Sequence, residues 1–331
     1  MAAGRGTRMG PLTESIPKAL IPFAGTTSLG LLLPNLEQAA PISITIGLGW
    51  FGDFIRDYVR STYPDYSINF VDVPNYEIGP LETLVTSAGE IDSTTIICPA
   101  DLIAESSFLE NVIDSHISSS NRLLTLAYDT VKDKGTPLAI DENGILVGIG
   151  ELPDTIPRSG RSAMVLVAEP EFFAICRKYR NLGMTRVRDV IAAMLAEQVV
   201  VHTHLINETW YDIDSISALL EVNRNLLGRY SPSTGVIYVP EGDVLEMGED
   251  LVLDSGTTIQ NGVLIKGPTF IAHDCFIGAN SAIGPHVSME TGTSVQNSCN
   301  ISNAVIFESA NVSSGTHLSN VIVRRNRVYT E

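Results

Sequence analysis

The sequence predicts a protein of two domains, an α/β domain followed by a parallel β-helix. Three observations lead to this prediction. The chain has 331 residues, which at roughly 150 residues per domain leaves room for two hydrophobic cores. Apolar strand patterns alternate with helical patterns over residues 1–228. In the C-terminal region, an aliphatic residue recurs at every sixth position.

The first predicted domain, 1–228, has the alternation that is typical of an α/β fold. Strand-like segments lie at 94–98, 123–128 and 198–205. A helical pattern begins after Asp214 or Ser215, either of which can cap it, and stops at Gly228. Because strands that alternate with helices usually join one mainly parallel sheet, we expect the ligand beyond the carboxyl ends of the strands.

The six-residue repeat occupies the second predicted domain, 236–331, which a turn-rich linker at 229–235 joins to the first. The repeated aliphatic residues are Met247, Leu253, Ile259, Ile265, Ile271, Ile277, Ile283, Met289, Val295 and Ile301. From Leu253 onward, each is followed four positions later by a small or β-branched residue, and the position before that one, from Gly256 to Ser298, is mostly turn-forming.

A strand, a corner and a strand every six residues is typical of a parallel β-helix, in which stacked coils bury a continuous aliphatic core. After Ile301 the repeat continues at Ile306, Val312 and Leu318. This shift predicts the loss of one residue at a corner of the β-helix.

Charge and composition exclude several classes of function. The chain has 21 Lys and Arg against 38 Asp and Glu, a net charge of −17, which argues against a surface for nucleic acid or anionic lipid. Its 4 cysteines form no CxxC motif and fit neither a disulfide scaffold nor a zinc site. No apolar run reaches the roughly 18 residues of a membrane helix, and none resembles a signal peptide. We therefore expect a cytoplasmic protein.

The opening segment has the residues of a phosphate-binding loop. Gly4 and Gly6 allow the backbone to approach a phosphate closely, so that its N–H groups can donate to the oxygens, while Arg8 and Lys18 supply positive charge. The segment is not a Walker loop, and it lacks the third glycine of the dinucleotide fingerprint because Met9 stands there. We expect it to bind a polyphosphate.

The segment AAGRGTRMGPLT at 2–13, followed by PKAL at 17–20, resembles the signature of nucleotidyltransferases that act on sugar 1-phosphates. The resemblance covers residues 1 to about 228. It implies a Rossmann-like catalytic domain, and members of this family commonly carry a hexapeptide, left-handed β-helix behind it. The implied enzyme joins a nucleoside triphosphate to a sugar 1-phosphate with Mg²⁺ as cofactor and releases pyrophosphate.

The same resemblance implies roles for individual residues. Arg8 and Lys18 are the implied catalytic residues, with Arg8 at the leaving pyrophosphate and Lys18 at the α-phosphate and the incoming sugar phosphate. The implied nucleotide-binding residues are Ala3, Gly4, Gly6, Thr7 and Gly79. Asp101 and Asp212 match the two carboxylates that hold Mg²⁺, an ion that prefers oxygen ligands. We interpret the nearby Asp214 as the N-cap of the following helix.

Two features depart from the family pattern. The family's loop follows a central apolar strand, whereas this sequence opens at Met1 with the loop itself, so we expect either residues upstream of Met1 or a sheet that lacks a strand and exposes two edges. Leu152 replaces the lysine that holds the sugar phosphate in many relatives. We expect Arg158 or Arg161 to supply that charge and Glu151 to contact sugar hydroxyl groups.

Two alternatives stay open. One is a regulatory or binding subunit on the same fold, which Leu152 favours and the retention of both Asp101 and Asp212 disfavours. The other is a bifunctional enzyme, because a histidine on the β-helix can activate an amine for acetyl transfer. The histidines in question are His273, His286 and His317. We expect the β-helix to mediate homo-oligomer formation instead. The sequence does not specify the base or the sugar.

Overall fold

The structure, a computed structural model, describes residues 1–132, 135–153, 155, 159–229, 236–249, 251–253 and 255–331. Contacts between residues divide the chain into two compact units. Unit 1 comprises Met1–Arg5 and Leu29–Trp210, and unit 2 comprises Gly6–Ser28 and Tyr211–Glu331. This division differs from the bounds predicted from sequence, which stay a prediction, and most of the predicted linker lies outside the described residues.

The secondary structure follows in chain order. The helices are α1 (Ser28–Gln38), α2 (Gly52–Thr62), α3 (Pro80–Ala88), α4 (Ser106–Ser118), α5 (Pro170–Asn181), α6 (Val187–Ala196) and α7 (Ile216–Leu227). Short 3-10 segments cover Thr7–Glu14, Lys18–Leu20 and Tyr76–Ile78. Within the described ranges, no helix has both the length and the apolar character needed to cross a membrane.

The strands fall into two groups. Those before the β-helix are β1 (Pro22–Phe23), β2 (Thr26–Thr27), β3 (Ile44–Leu48), β4 (Ile68–Asp72), β5 (Thr95–Ile97), β6 (Leu102–Ala104), β7 (Leu124–Asp129), β8 (Pro137–Ile140), β9 (Leu146–Ile149), β10 (Gly160–Ala168), β11 (His202–Leu205) and β12 (Trp210–Asp212). Those of the β-helix are β13 (Ile237–Val239), β14 (Val244–Glu246), β15 (Leu251–Val252), β16 (Thr258–Ile259), β17 (Leu264–Lys266), β18 (Thr269–Ile271), β19 (Phe276–Ile277), β20 (Ala282–Ile283), β21 (Val287–Met289), β22 (Ser294–Val295), β23 (Asn300–Ile306), β24 (Asn311–Val312), β25 (His317–Arg324) and β26 (Arg327–Tyr329).

Unit 1 has the predicted α/β fold. Its larger sheet has the strand order β11-β7-β10-β8-β9, and β5 also pairs with β10. The sheet is mixed rather than mainly parallel as expected, because β10 runs antiparallel to β5, β7 and β8 while β7 and β11 are parallel. The chain connects β7 to β10 through the hairpin β8–β9. Because a parallel return to the same sheet usually needs a helical crossover, β10 runs antiparallel to β7.

Helices cover both faces of this sheet. Successive residues of β10 point to opposite faces, so Leu166 packs in the cluster that contains Phe172 of α5. Val167 packs in the cluster that contains Phe108 and Val112 of α4. Because both faces are buried, β10 reads as a nearly continuous apolar run.

The first two residues of the chain lie between β3 and β5. The Ala2 N–H donates to the Gly47 carbonyl oxygen (3.0 Å) on the β3 side. On the β5 side, the Met1 amino group donates to the Cys98 carbonyl oxygen (2.7 Å), and the Ala100 N–H donates to the Met1 carbonyl oxygen (3.0 Å). Met1 and Ala2 are therefore paired on both sides, as residues of a central strand would be.

A cavity of about 600 Å³ adjoins Met1. Its walls include 43–47 from β3 and 93–98 around β5, together with apolar side chains of α1 and α4. Burial lowers the pKa of the Met1 amino group, since desolvation disfavours its charged form. Within the described residues, β3 pairs with β4 and β5 pairs with β10, so the edges that face the cavity carry no strand beyond Met1 and Ala2.

Unit 2 contains the predicted parallel β-helix from β16 to β25, whereas β13, β14 and β15 pair antiparallel with its first coil. Thr258 pairs with Phe276, and Phe276 pairs with Ser294, so one coil takes 18 residues and three strands. The coils stack four deep in the described part of the chain. The aliphatic positions from Ile259 to Ile301 are all buried, as the repeat predicts.

The corners and the register shift also match the prediction. The predicted corner positions from Gly256 to Ser298 have positive φ. Pro268 is the exception, because its ring restricts φ to about −65°. Ile301 pairs with Leu318, a step of 17 residues rather than 18. The deletion falls near Asn303, which has a positive φ of 43°.

One outer face of the β-helix is covered within unit 2. Its outward-facing ladder residues, which are at most 3% exposed, are Phe270, Ser288, Val305 and Ile322. Helix α7 packs against β21, β23 and β25 on this face. Ala24 also packs beside Phe270 and Leu227, and its N–H donates to Ser288 Oγ (3.1 Å). The segment 6–28 therefore packs against the β-helix.

Candidate functional site

The signature loop, residues 6–14, is closed by the Thr13 hydroxyl. Thr13 Oγ1 donates to the carbonyl oxygens of Gly6 (3.0 Å) and Gly10 (3.3 Å). Gly6 has a left-handed conformation, with φ at 65°, which favours glycine. Met9 and Leu12 are buried and anchor the loop, whereas Thr7 and Arg8 are exposed. The loop therefore presents Thr7 and Arg8 to the outside.

Lys18 lies beside the start of this loop. A Cβ atom on Gly6 would lie 3.1 Å from the Lys18 Cβ, so a larger residue at position 6 would press on the lysine stem. Arg8 and Lys18, the two predicted catalytic cations, thus belong to one local structure within unit 2. The absence of a side chain at Gly6 is what allows the lysine to approach.

Arg8 forms an ion pair that the sequence analysis missed. Its Nη1 lies 2.7 Å from Asp214 Oδ2, and the Arg8 side chain is 72% exposed. The interpretation of Asp214 as a helix N-cap is wrong, because Ser215 caps α7 by accepting from the Ala218 N–H (3.1 Å). Both residues have short polar side chains suited to capping, so the sequence alone could not separate them.

Ala3 and Gly4 belong to unit 1, where they adjoin the segment that contains Gly79. The buried Ala3 accepts from the Trp50 N–H (3.0 Å), and Gly4 is exposed. A Cβ on Gly49 would lie 2.6 Å from the Ala3 carbonyl oxygen and 2.6 Å from Tyr76 Cγ. Gly49 is therefore needed for this close approach, and the sequence analysis missed it.

Arg5 links the same two segments. Its guanidinium lies 4.2 Å from the centroid of the Trp50 ring and 3.2 Å from Glu77 Oε1. The segment from Ala3 to Arg5 is thus tied to the turn at 76–78. The structure brings together two of the segments that we predict to bind the nucleotide.

Gly79 begins α3 in a conformation that favours glycine. Its φ is 147°, and a Cβ there would lie 2.5 Å from the Thr185 carbonyl oxygen. That oxygen accepts from the Leu81 N–H (3.0 Å), which fixes the first turn of α3. The structure accounts for Gly79 by packing, and its contact with a base stays a prediction.

The two predicted metal ligands lie in different units. Asp101, which is half-buried, follows β5 in unit 1, and the half-buried Asp212 ends β12 in unit 2. In the described ranges, no group of three or more His, Cys, Asp or Glu side chains could hold a metal ion by itself. Two carboxylates still suit Mg²⁺, which commonly takes its other ligands from water and substrate phosphates.

Trp210, which opens the motif of Asp212, is held by Asp129 at the end of β7. The indole Nε1–H donates to Asp129 Oδ2 (2.8 Å), and Lys132 Nζ lies 3.7 Å from the ring centroid. Burial raises the pKa of the Asp129 carboxyl, but hydrogen bonds from Lys132, Trp210 and Val131 outweigh it and hold this pKa below its usual value. The sequence offered no signal for this role of Asp129.

The predicted sugar-binding residues also lie in unit 1. Glu151 is exposed, and Leu152 packs against Gly148 of β9. Arg161 lies near the start of β10, and its Nη1 donates to the Gly135 carbonyl oxygen (3.4 Å). The alternative cation, Arg158, lies outside the described residues.

The histidines of the β-helix differ in exposure. His273 and His317 are exposed, and His286 is half-buried at a corner, where burial lowers its pKa. The structure gives no further support to an acetyl-transfer site at these residues.

Curated relatives and solved structures resemble this chain at low identity. Over 76% of its length it is 23% identical to the "Bifunctional protein GlmU" of Methanocaldococcus jannaschii, of which it covers 59%. Over 69% of its length it is 22% identical to the "Low-salt glycan biosynthesis nucleotidyltransferase Agl11" of Haloferax volcanii, of which it covers 65%. The chain thus spans less than two thirds of either relative.

A crystal structure of UDP-glucose pyrophosphorylase complexed with UDP-glucose has the same fold over 69% of this chain and 97% of that one, with a TM-score of 0.60 and 16% identity. The fold of the N-terminal region is therefore a nucleotidyltransferase fold. Residues 1–199, more than half of the chain, match the model of the MobA-like NTP transferase domain, and the chain belongs to that family.

Proposed function

We propose that this chain transfers a nucleotidyl group from a nucleoside triphosphate to a sugar 1-phosphate. An oxygen of the sugar phosphate attacks the α-phosphorus and forms a new P–O bond. The bond between the α-phosphorus and the bridging oxygen breaks, and pyrophosphate leaves with the bonding electrons. The products are a nucleotide sugar and pyrophosphate.

The observation that carries this proposal is the conformation of the signature loop. The Thr13 hydroxyl closes the loop on two glycine carbonyls, Lys18 lies against Gly6, and Arg8 projects from the exposed part. A loop of this kind supplies backbone N–H donors and two cations to a triphosphate. Catalysis of phosphoryl transfer depends mainly on such positioning and charge stabilisation.

Each candidate residue then has a task. Arg8 leaves Asp214 to stabilise the pyrophosphate, and Lys18 neutralises charge on the α-phosphate. Backbone groups of the nucleotide-binding residues hold the triphosphate and the base; these residues are Ala3, Gly4, Gly6, Thr7 and Gly79. Glu151 contacts sugar hydroxyl groups, and Arg161 replaces the cation that Leu152 cannot provide.

Mg²⁺ is the proposed cofactor, with Asp101 and Asp212 as its protein ligands. Both are carboxylates, which match the preference of this ion for hard oxygen donors. When bound, the ion neutralises charge on the phosphate groups. The two aspartates would hold it, and they need no third protein ligand because the triphosphate supplies further oxygens.

A regulatory subunit that binds a nucleotide sugar without turnover is the second candidate. The packing of Leu152 against Gly148 favours it, because no cation is presented from that position. Such a subunit would retain affinity for the nucleotide sugar and release no pyrophosphate.

One assay separates the two candidates. Pyrophosphate release is measured for the five common nucleoside triphosphates against a panel of sugar 1-phosphates, with Mg²⁺ and with excess EDTA. We expect release with at least one pair, and its loss with EDTA. Binding of a nucleotide sugar by calorimetry, without release for any pair, would instead favour the regulatory subunit.

A further inference from the structure

Arg324, the last residue of β25, reaches from the β-helix to the end of the signature loop. Its Nη1 donates to the Leu12 carbonyl oxygen (3.1 Å) and to Ser15 Oγ (2.5 Å). Its Nη2 donates to the Ser15 carbonyl oxygen (3.2 Å). All of these residues belong to unit 2. The guanidinium therefore fixes the backbone on both sides of Thr13.

Thr13 connects the backbone that Arg324 holds to the rest of the loop. Its hydroxyl binds the carbonyls of Gly6 and Gly10, which flank the exposed Thr7 and Arg8. Leu12, whose carbonyl oxygen accepts the hydrogen bond from Arg324, is fully buried. A shift of the backbone at Leu12 or Ser15 would move Thr13, and with it the two glycine carbonyls that set the loop conformation.

We propose that Arg324 is a positioning residue for nucleotidyl transfer, which holds the signature loop in the conformation that presents Arg8. The inference rests on the proposed function for the reaction that the loop serves. It gives the β-helix a task in catalysis, as the scaffold that supports the phosphate-binding loop.

The chemistry of the arginine side chain suits this task. Its planar fork of N–H donors reaches two carbonyl groups and a hydroxyl at once, whereas the lysine ammonium group is a single point charge on a flexible stem. The β-helix and α7 also hold the far end of the segment, where Ser288 Oγ of the β-helix and Asn223 Oδ1 of α7 accept from the Ala24 N–H (3.1 and 3.0 Å).

The test compares Arg324→Ala and Arg324→Lys with Arg327→Ala. Arg327 is the matched control, because it pairs with Arg324 in the ladder and its side chain is exposed. Four quantities are measured: kcat and KM in the pyrophosphate assay, the rate of tryptic cleavage between Arg8 and Met9, and the midpoint of thermal unfolding.

Arg324→Ala should lower kcat by about tenfold or more, since a misplacement of about 1 Å can cost about a hundredfold. The KM for the sugar 1-phosphate should change by less than about threefold, because that substrate does not bind the loop. Cleavage after Arg8 should accelerate, Arg324→Lys should fall between the wild type and the alanine variant, and Arg327→Ala should match the wild type.

An Arg324→Ala variant with wild-type kcat and wild-type cleavage would overturn the inference. If that variant does not fold, Arg324→Lys carries the same test. A wild-type chain that releases no pyrophosphate overturns the proposed function instead, and the cleavage rates then decide on their own whether Arg324 holds the loop.

Discussion

At the scale of single residues, the proposed chemistry depends on two cations, Arg8 of the signature loop and Lys18 beside it. Arg8 is mostly exposed and pairs with Asp214, an ion pair that stabilises the fold by about 1 kcal/mol or less. Its main contribution is therefore expected in the transition state, where negative charge develops on the leaving pyrophosphate.

Substitution of either cation should lower turnover without unfolding the protein. We expect Arg8→Ala or Lys18→Ala to reduce kcat by about 10²- to 10³-fold. This factor corresponds to a loss of about 3 to 4 kcal/mol of transition-state stabilisation by a preorganised charge. Arg60→Ala, an exposed arginine of α2, is the control and should leave kcat unchanged. Initial rates of pyrophosphate release measure this effect, and a kcat within threefold of the wild type would refute both roles.

Arg161 should determine the affinity for the sugar 1-phosphate. Arg161→Ala should raise the KM for this substrate, because it removes the charge that we propose for its phosphate, and should change the KM for the nucleoside triphosphate less. Steady-state kinetics with each substrate varied in turn measure the two effects. A variant with an unaltered KM for the sugar 1-phosphate would leave Arg158 as the candidate.

Glu290 on the β-helix should make the stability of the fold depend on pH. Burial raises the pKa of its carboxyl group from 4.5 to about 7, the Gly25 N–H opposes this shift, and the charge of Glu308 adds to it. Because the folded chain binds this proton more tightly, the stabilisation is present below about pH 4.5 and is lost as the pH rises towards 7.

Glu290→Gln should remove this component of the pH dependence. Urea unfolding at pH 5 and pH 8 measures the free energy of unfolding for both proteins. The difference between the two pH values should be smaller for the variant. An unchanged difference would show that Glu290 titrates normally.

The signature motif identifies Arg8, Gly6 and Lys18 as candidate residues, and their roles stay predictions. The structure places Lys18 beside Gly6 and leaves Arg8 exposed on the same loop, whereas contacts between distant positions could not be predicted. Asp129 accepts a hydrogen bond from Trp210, which lies 81 positions away in the sequence, and no local pattern predicts such a contact.

At the scale of secondary structure, the β-helix was the most predictable part. Its six-residue period, its corners and its one-residue deletion all follow from local rules, because each coil repeats the same packing on its neighbours. The antiparallel direction of β10 was not evident from the sequence, since it depends on the hairpin β8–β9, which the strand and helix patterns did not predict.

The cavity between β3 and β5 should accept an extended apolar segment. Met1 and Ala2 already pair with both neighbouring strands, so four valine and isoleucine residues placed ahead of Met1 would continue their register into the cavity.

We expect this extension to raise the midpoint of thermal unfolding by about 4 °C or more, since each kcal/mol gained shifts it by about 2 to 4 °C in a domain of this size. A control extension of four alternating glycine and serine residues has the same length and no apolar side chains. Equal midpoints for the two extensions would contradict a strand site in the cavity.

At the scale of the whole molecule, the compact units do not follow the order of the sequence. The segment from Gly6 to Ser28 groups with the β-helix and α7 through the contacts of Arg324, Ser288 and Asn223. These contacts join residues more than 190 positions apart, and the hexapeptide pattern does not predict them. The association of the loop with the β-helix is therefore information that only the structure provides.

Self-association through the β-helix stays a prediction. One outer face of the β-helix is already covered by α7 and the segment 6–28. The other faces are therefore the expected contacts between subunits. Light scattering coupled to gel filtration gives the mass, and a mass equal to 35.7 kDa at micromolar concentration would contradict an oligomer.

The proposed function rests on one claim, that the signature loop binds a triphosphate for transfer of its nucleotidyl group to a sugar phosphate. The most direct test measures both products of one reaction, the nucleotide sugar by mass spectrometry and pyrophosphate by a coupled assay, for the wild type and Arg8→Ala. Equal amounts of the two products from the wild type, and a rate at least about a hundredfold lower for the variant, are the expected result. Inorganic phosphate as the product, or no nucleotide sugar from any pair of substrates, would contradict the claim.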